Sequence, residues 1–223
     1  VVHGARGRMG RRICAIATSD ARFELVAEVG HHDELVSVEA DVVIDFATPQ
    51  ATPKAIEIAR INGAALLVGT TGLCDGTLCQ LEVSAQSCAV MVAPNTSVGA
   101  AVIARLVEAA ARHLPGRFGV EIVETHHSRK IDSPSGTALR LASAVETGSG
   151  CEVGPEQVHS LRVGDVTGEH SVVFAGDDQV IKISHMAGSR DVFARGALDA
   201  AAWLCRQPSG WYTIEQSLGF EVP

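Results

Sequence analysis

Short apolar runs alternate with helix-like stretches over the first hundred residues of the chain. Runs typical of buried strands occur at residues 1–2, 23–29, 41–46, 65–68 and 89–93. Apolar periodicity between these runs predicts a helix carrying Ile13, Ile16 and Ala17, another over 51–62 that Gly63 ends, and a third over 78–85. Repeated alternation of strand and helix predicts an α/β fold with a parallel sheet.

The second half of the chain follows a different pattern. An alanine-rich helix is predicted over 98–113, followed by a strand at 119–126 and a helix that ends near 145. Three further strand-like runs, at 158–163, 171–174 and 180–185, are joined by turns rich in glycine and aspartate, and a helix at 193–205 precedes a short tail. We predict a smaller α+β part with an open, mixed, four-stranded sheet. Helices would cover one face, so the other face favours self-association.

Three glycines stand between the first strand and the first helix. Gly4, Gly7 and Gly10 form a G-x-x-G-x-x-G turn. In dinucleotide-binding proteins such glycines let the backbone approach a pyrophosphate, which the helix N-terminus then holds. An ordinary tight turn is the alternative for the glycines alone. Glu28 ends the second predicted strand 18 positions after Gly10, where a ribose-binding carboxylate belongs. Together these features predict a Rossmann-type dinucleotide-binding domain.

Small polar residues follow two more of the predicted strands, at 69–72 and 94–97. Ligands of open α/β sheets bind at the carboxyl ends of the strands, although a plain turn is the alternative at each position. Taken with the glycine turn, these segments predict one cofactor-binding edge. The candidate cofactor-binding residues are Gly4, Arg6, Gly7, Arg8, Met9, Gly10, Glu28, Phe46, Gly69, Thr70, Thr71, Pro94, Asn95 and Thr96.

Polar chemistry is densest in the segment EIVETHHSRKIDSPSGTAL at residues 121–139. Two histidines, His126 and His127, end a predicted strand, and Lys130 follows them. We expect Asp132 or Ser133 to cap the next helix, with Pro134 in its first turn. Small residues at 135–137 would then leave the N–H groups of that turn open as a cradle for an anion.

Composition narrows the function further. The chain has 223 residues, 46% of them hydrophobic, and a net charge of −8, which disfavours nonspecific nucleic-acid binding. No apolar run approaches the length of about 20 residues that a membrane span needs, and no signal peptide is visible, although the chain begins abruptly in half a strand. Six cysteines in mostly apolar contexts and without a CxxC pair predict buried, reduced thiols in a cytoplasmic protein.

Two other kinds of site are disfavoured. Adjacent histidines on a strand point to opposite faces, and no H-x-x-x-H spacing or cysteine partner occurs, so we expect no metal site. The G-x-S-x-G turn of a serine hydrolase is also missing from the sequence.

Residues 124–138 carry the pattern E-x-H-H-x-x-K-x-D-x-P-S-G-T-A and in this closely resemble the signature of the dihydrodipicolinate reductase family. The resemblance extends over essentially the whole chain, including V-G-T-T-G and N-x-S-x-G segments that line the nicotinamide side in the family. It implies that NADH or NADPH reduces a ring dicarboxylate, dihydrodipicolinate, to tetrahydrodipicolinate in diaminopimelate and lysine biosynthesis. It also implies a homotetramer, and a substrate and oligomerisation domain at 98–191 between the two parts, 1–97 and 192–223, of the dinucleotide-binding domain.

The same resemblance assigns roles to individual residues. His126 corresponds to the general acid, with Lys130 supporting the charge and the proton. His127 and the turn of Ser135, Gly136 and Thr137 would bind the ring carboxylates. Arg190 lies in a segment similar to the family's H-x-A-x-S-R and could reach a substrate carboxylate, with an ion pair to Asp191 or Asp165 as the alternative.

The cofactor preference and two rival functions remain open at this point. We expect NADH to serve at least as well as NADPH, because Glu28 would repel a 2′-phosphate and the next residue, Val29, is not basic. His31 and His32 follow and could flank the ribose, although a solvated loop is favoured. The rivals are another amino-acid-type dehydrogenase of the same architecture and a non-catalytic dinucleotide-sensing protein. Neither would need the histidine pair and Lys130 together.

Overall fold

The computed structural model describes residues 1–30, 32–34 and 37–221. His31, a candidate neighbour of the ribose, lies outside the described residues. The chain divides into two compact units, one formed by Val1–Val98 together with the chain from Asp191 onward, and the other by Gly99–Arg190.

Ten strands and seven α-helices make up the described chain. The strands are β1 (Val2–His3), β2 (Glu28–Val29), β3 (Val42–Asp45), β4 (Ala65–Val68), β5 (Ala89–Val92), β6 (Gly119–His126), β7 (Val158–Arg162), β8 (Glu169–Ala175), β9 (Val180–Met186) and β10 (Gly210–Tyr212). The helices are α1 (Arg8–Ser19), α2 (Thr52–Asn62), α3 (Asp75–Ser84), α4 (Val98–His113), α5 (Gly136–Ser149), α6 (Asp191–Leu204) and α7 (Ile214–Ser217). A short 3-10 helix, Pro155–Gln157, precedes β7.

The first unit is built on a six-stranded sheet of order β10-β5-β4-β3-β1-β2. All its neighbouring strands are parallel, which confirms the predicted α/β fold. Every residue of β4 is buried, as expected for a central strand covered on both faces. Gly63 ends α2 with a left-handed φ of 60°, as predicted from its position.

The edges of this sheet differ from the sequence prediction. The run at 23–29 was expected to be one strand, yet β2 has two residues, because its neighbour β1 offers two residues for pairing. At the opposite edge, the predicted tail contributes β10, which pairs with β5 in the register Trp211↔Val90. Pairing of this kind joins residues more than a hundred positions apart and leaves little local signal in the sequence.

The second unit contains the predicted open, mixed sheet of four strands, in the order β7-β6-β8-β9. β6 pairs with β7 in parallel and with β8 in an antiparallel sense, and β8 pairs antiparallel with β9. Helices α4 and α5 cover one face, where a core forms around Val107, Ile122, Leu141, Val172 and Phe174. Helix α4 and strand β6 have the predicted bounds.

The other face of this sheet carries the side chains that alternate with the core positions. Three exposed apolar residues lie on it, namely Leu161, Val180 and Met186. Polar neighbours are present as well, including Ser171 and Ser184, whose hydroxyl groups bond across the strands at 2.9 Å. We call this surface the open face.

The prediction of buried thiols was wrong for four of the six cysteines. Cys14 is buried and Cys88 half-buried, whereas Cys74, Cys79, Cys151 and Cys205 are exposed, and all six are free. Apolar neighbours in sequence did not imply burial, because Cys74 caps the start of α3 and Cys151 follows the end of α5. None of the described helices is long and apolar enough to cross a membrane. The described residues contain no cluster of three or more histidine, cysteine or acidic side chains suited to a metal ion.

Candidate active site

The glycine turn of the first unit is tightly packed. Gly4 has a left-handed φ of 77°, and a Cβ added to it would lie 2.4 Å from the carbonyl oxygen of Phe46. A Cβ on Gly10 would lie 2.1 Å from the carbonyl oxygen of Gly4. Both positions therefore require glycine. Gly7, the N-cap of α1, has no capping side chain, so the first turn of a twelve-residue helix presents its backbone directly.

A cavity of about 450 Å³ lies beside this turn. The residues that line it are His3, Gly4, Arg6, Gly7, Gly30, Phe46, Ala47, Thr48 and Ala51. The close-packed glycines and the bare helix start fit a pyridine dinucleotide, whose pyrophosphate needs close approach of the backbone. Among the candidate residues, Arg8 and Met9 form the start of α1, next to the cavity.

An ion pair occupies the position where the cofactor ribose is expected. Both carboxylate oxygens of Asp33 accept hydrogen bonds of 2.9 Å from one terminal nitrogen of Arg6. Asp33 also accepts the N–H of Gly30 at 2.7 Å. Glu28 is exposed and is the first of the two residues of β2. The expected ribose region thus contains two acidic residues, Glu28 and Asp33, and one arginine, Arg6, that is already paired with Asp33.

The candidates after β3, β4 and β5 lie at the carboxyl edge of one parallel sheet. Some of their side chains form hydrogen bonds within the protein. Thr70 donates its hydroxyl to Asp45 at 2.8 Å and accepts the N–H of Ala47 at 3.0 Å. Thr96 is buried and donates to the carbonyl oxygen of Phe193 at 2.6 Å. The remaining candidates at this edge are Gly69, packed against the Phe46 ring, Asn95, which accepts the N–H of Ser97, and the exposed Thr71 and Pro94.

Asp45 is the centre of a buried network that the sequence analysis missed. It is fully buried and accepts hydrogen bonds from Thr52 and Thr70, while its other oxygen lies 2.7 Å from Nδ1 of His3. The available signal was an aspartate inside an apolar run, since an acid in a fully buried strand needs partners.

In the second unit, three strands place charged side chains around His126. Glu124 and His126 are two positions apart on β6 and so share the face that α5 covers. The register places Arg162 of β7 beside His126 and His170 of β8 beside Glu124. Nδ1 of His126 is bonded to Oε2 of Glu124. The His126 and His170 rings meet edge to face, with centroids 5.1 Å apart.

Glu124 is the most connected group of this site. It is fully buried and accepts two parallel hydrogen bonds from Arg162, at 2.8 and 2.9 Å. Burial opposes its ionisation, but the bonds from Arg162 and His126 outweigh burial and lower the pKa of Glu124 to about 2. The resemblance included Glu124 without giving it a role, and nothing in the sequence pointed to Arg162, whose partner lies 38 positions away.

The two buried histidines are both harder to protonate than a free imidazole. Burial lowers the pKa of His126, and the adjacent Glu124 carboxylate opposes that shift. Burial, followed by the charge of His126, lowers the pKa of His170 to about 4. His126 is therefore the histidine with a carboxylate to stabilise its protonated form, and it is the better candidate for proton transfer near neutral pH.

The start of α5 differs from the prediction. The N-cap is Ser135, not Asp132 or Ser133, and Pro134 precedes the helix. Asp132 is unsuited to the cap because its carboxylate binds Lys130 at 2.7 and 2.8 Å. Ser135 accepts the N–H of Ala138 at 3.1 Å and donates its own N–H to Glu124 at 3.1 Å. Its N–H is thus used inside the protein rather than left open in the predicted cradle.

The remaining candidates around this helix start are accessible. Gly136 is exposed, and no protein atom lies within 4 Å of a Cβ added to it. Thr137 and His127 are half-buried. Nδ1 of His127 is a buried atom for which the described structure shows no hydrogen-bond partner. Arg190 is exposed, and the ion pairs shown for Asp191 and Asp165 go to Arg12 and Arg129.

Comparisons with known proteins agree along the whole chain. Residues 1–96 match the family described as dihydrodipicolinate reductase, N-terminus, and residues 99–218 match dihydrodipicolinate reductase, C-terminus. The 4-hydroxy-tetrahydrodipicolinate reductase of Xanthomonas euvesicatoria is 41% identical, over 96% of this chain and 94% of the relative. That of Caldanaerobacter subterraneus is 38% identical, over 96% of both chains.

Solved structures show the same fold. A dipicolinate-bound dihydrodipicolinate reductase from Paenisporosarcina sp. TG-14 superposes with a TM-score of 0.78 at 24% identity, covering 95% of this chain and 96% of that one. An engineered D-amino acid dehydrogenase shares the fold more distantly, with a TM-score of 0.58 at 14% identity over 96% and 92% of the two chains. With both family models matched and relatives near 40% identity, the chain belongs to the dihydrodipicolinate reductase family of NAD(P)H-dependent oxidoreductases.

Proposed function

We propose that this chain reduces dihydrodipicolinate, the form of 4-hydroxy-tetrahydrodipicolinate that has lost water, to tetrahydrodipicolinate in diaminopimelate and lysine biosynthesis. Its relatives carry the name of that reductase. When bound, NADH or NADPH supplies a hydride to C4 of the ring. The observation that carries the proposal is the buried Glu124–His126 pair on the strand that leads to the start of α5.

His126 is the proton donor in this proposal. The ionised Glu124 can only accept a hydrogen bond, so Nδ1 of His126 carries the hydrogen between them. The other ring nitrogen, Nε2, is therefore the atom that holds and releases the catalytic proton. Hydride addition to the conjugated ring leaves electron density that must be protonated, and a positioned acid speeds that step. Lys130 adds a positive charge four positions further on.

The carboxylates of the substrate bind around the start of α5. The first turn of this fourteen-residue helix attracts anions, and the exposed Gly136 leaves room for close approach of a ligand. We assign His127, Gly136, Thr137 and Arg190 to carboxylate binding. Ser135 supports them from inside the protein, because its N–H and hydroxyl are engaged with Glu124, Ala138 and His170.

NADH is proposed to serve at least as well as NADPH. Glu28 can accept a hydrogen bond from a ribose hydroxyl group but would repel a 2′-phosphate. Arg6 is the basic residue best placed to bind that phosphate, and both oxygens of Asp33 already bind it. The predicted preference thus has a second support that the sequence did not reveal.

We further propose that the active form is a cytoplasmic homotetramer. The six free cysteines suit a reducing compartment. The open face displays Leu161, Val180 and Met186 on a sheet whose helices cover the opposite side. A second copy of the chain would bury these apolar side chains.

The proposal is tested by incubating the protein with NADH and freshly prepared substrate and following the loss of absorbance of NADH. We expect substrate-dependent oxidation and competitive inhibition by pyridine-2,6-dicarboxylate. The monoacid pyridine-2-carboxylate should bind roughly ten- to a hundredfold more weakly, because one charge-assisted contact is lost. Oxidation of an amino acid with NADP⁺ but no turnover of this substrate would identify the rival dehydrogenase. NADH binding without any turnover would identify a sensing protein.

A further inference from the structure

We propose that Arg162 and Glu124 are positioning residues for the proton transfer, with Arg162 fixing the carboxylate that orients His126. The inference rests on the proposed function, because it assumes that His126 delivers a proton from Nε2. It adds two residues that never touch the reacting ring and act through the imidazole.

Arg162 and Glu124 form a bidentate ion pair. Two guanidinium nitrogens donate to the two carboxylate oxygens at 2.9 and 2.8 Å, and the Glu124 side chain is fully buried. Such a bidentate contact fixes the plane of the carboxylate as well as its distance. Since Oε2 also bonds Nδ1 of His126, fixing that plane fixes the imidazole ring.

The same pair connects the other parts of the candidate site. The nitrogen of Arg162 that bonds Oε1 of Glu124 also donates to the carbonyl oxygen of Asp132 at 2.6 Å. The side chain of Asp132 holds Lys130. Oε1 of Glu124 accepts the N–H of Ser135, the N-cap of α5. The ion pair between Arg162 and Glu124 therefore fixes the relative positions of the His126 ring, the loop that carries Lys130, and the start of α5.

The charged groups around His126 also support the role of Arg162. His126 is faced by Glu124 on its own strand, Arg162 on β7, His170 on β8 and Lys130 on the following loop. Glu124 is the one acid in this set, and Arg162 offsets the cost of burying it as an anion. Without Arg162, the buried carboxyl group would tend to take up a proton and would then lose its ability to stabilise the imidazolium form of His126.

The direction of the pH effect follows from this arrangement. A carboxylate next to an imidazole raises the imidazole pKa, so removing the carboxylate, or its charge, lowers it. A general acid with a lower pKa is deprotonated at a lower pH. The alkaline limb of the kcat profile should therefore move to lower pH in variants that disturb Glu124 or Arg162.

The experiment compares Arg162→Met, Arg162→Lys and Glu124→Gln with the control Glu121→Gln. Glu121 and His159 form another pair between β6 and β7, at 2.7 Å, on the open face of the same sheet. For each protein we would measure the kcat profile against pH, the KM, the dissociation constant of NADH and the titration of the His126 ring by NMR without cofactor.

For Arg162→Met and Glu124→Gln we expect kcat to fall roughly tenfold or more and both the kinetic limb and the ring titration to move down by about one pH unit. Binding of NADH should not change. Arg162→Lys keeps the positive charge but loses the bidentate contact. Compared with Arg162→Met, it should therefore bring the pH of the His126 titration closer to the wild-type value than it brings kcat. Glu121→Gln should match the wild type. If Arg162→Met does not fold, Arg162→Lys and Glu124→Gln still test the proposed positioning role.

The inference would be overturned if folded variants showed the wild-type titration of the His126 ring and the wild-type alkaline limb of the kcat profile. The contact between Arg162 and Glu124 would then be only a structural ion pair. Equal behaviour of Arg162→Lys and Arg162→Met would also overturn the inference. Failure of the proposed function is recognised separately. In that case the wild type would not turn over the substrate, or His126→Gln would retain the wild-type kcat, whatever the Arg162 variants do.

Discussion

At the scale of single residues, the partners of each histidine decide its chemistry. His126 and His170 lie 5.1 Å apart and are both buried. His126 has a buried carboxylate on Nδ1, whereas Nε2 of His170 faces the hydroxyl of Ser135. That hydroxyl, which also accepts the N–H of Ala138, carries no charge and so does not stabilise a protonated His170 as a carboxylate would. Burial lowers the pKa of His170 to about 4, so this ring is neutral near pH 7, and His126 remains the proposed proton carrier.

The proposed role of Nε2 of His126 can be tested by placing a methyl group against this atom. A Cβ added at Gly168 would lie 3.0 Å from Nε2 of His126. We expect Gly168→Ala to lower kcat roughly tenfold or more, because the methyl group would obstruct the atom that is proposed to deliver the proton. Gly116→Ala is the control, since no protein atom lies within 4 Å of its added Cβ. Steady-state kinetics of the two variants provide the test, and equal values of kcat would place the proton path elsewhere.

The proposed cofactor preference also depends on a few residues. Asp33→Asn should release Arg6 and remove a negative charge from the ribose region, while the amide oxygen can still accept the N–H of Gly30. We expect the ratio of kcat/KM for NADPH over NADH to rise roughly tenfold, which corresponds to about 1.4 kcal/mol. Glu34→Gln, an exposed neighbour with the same change of charge, should alter the ratio little. An equal rise in both variants would assign the effect to net charge instead of Arg6.

At the scale of elements, the sequence predicted most where structure is local. Helix α4 and strand β6 begin and end at the predicted residues, because alanine-rich periodicity and a following proline–glycine pair are local signals. The start of α5 was misplaced, since Glu124, eleven positions earlier, binds the N–H of Ser135. Arg162 was missed for the same reason, because its role depends on the register between β6 and β7.

The revised start of α5 leads to a stability prediction. Ser135→Ala removes the cap of the helix and the hydroxyl partner of His170. We expect the free energy of unfolding to fall by about 1–2 kcal/mol, the range typical for loss of such a cap. Ser143→Ala, at an exposed position inside the same helix, should change it by less than about 0.5 kcal/mol. Urea unfolding of both variants measures the difference, and a loss below the control value would mean that Ser135 is not an effective cap.

At the scale of the whole molecule, the predicted architecture of two parts was confirmed in its fold class, with a parallel sheet in one unit and an open mixed sheet in the other. The networks inside the units could not be predicted. Asp45 binds His3, Thr52 and Thr70, which come from three separate segments and meet only once the parallel strands align. The family resemblance therefore indicated the reaction class and a candidate acid, while the groups that hold that residue required three-dimensional coordinates.

The assembly is tested on the open face. Val180 is 64% exposed on that face, and Val83, on α3 of the other unit, is 65% exposed. We expect Val180→Asp to shift the sedimentation coefficient of the wild-type oligomer towards that of a smaller species, because a charge would be buried between copies. Val83→Asp should sediment as the wild type does. A wild-type protein that sediments as a monomer would contradict the proposed tetramer.

The central claim is that His126 donates the proton, and its replacement tests this most directly. We expect His126→Gln to lower kcat by roughly 10²–10³, the range for loss of a positioned general acid, with an unchanged dissociation constant for NADH. His159→Gln, at an exposed histidine of the same sheet, is the matched control and should retain the wild-type kcat. A His126→Gln enzyme that turns over as fast as the wild type would contradict the account.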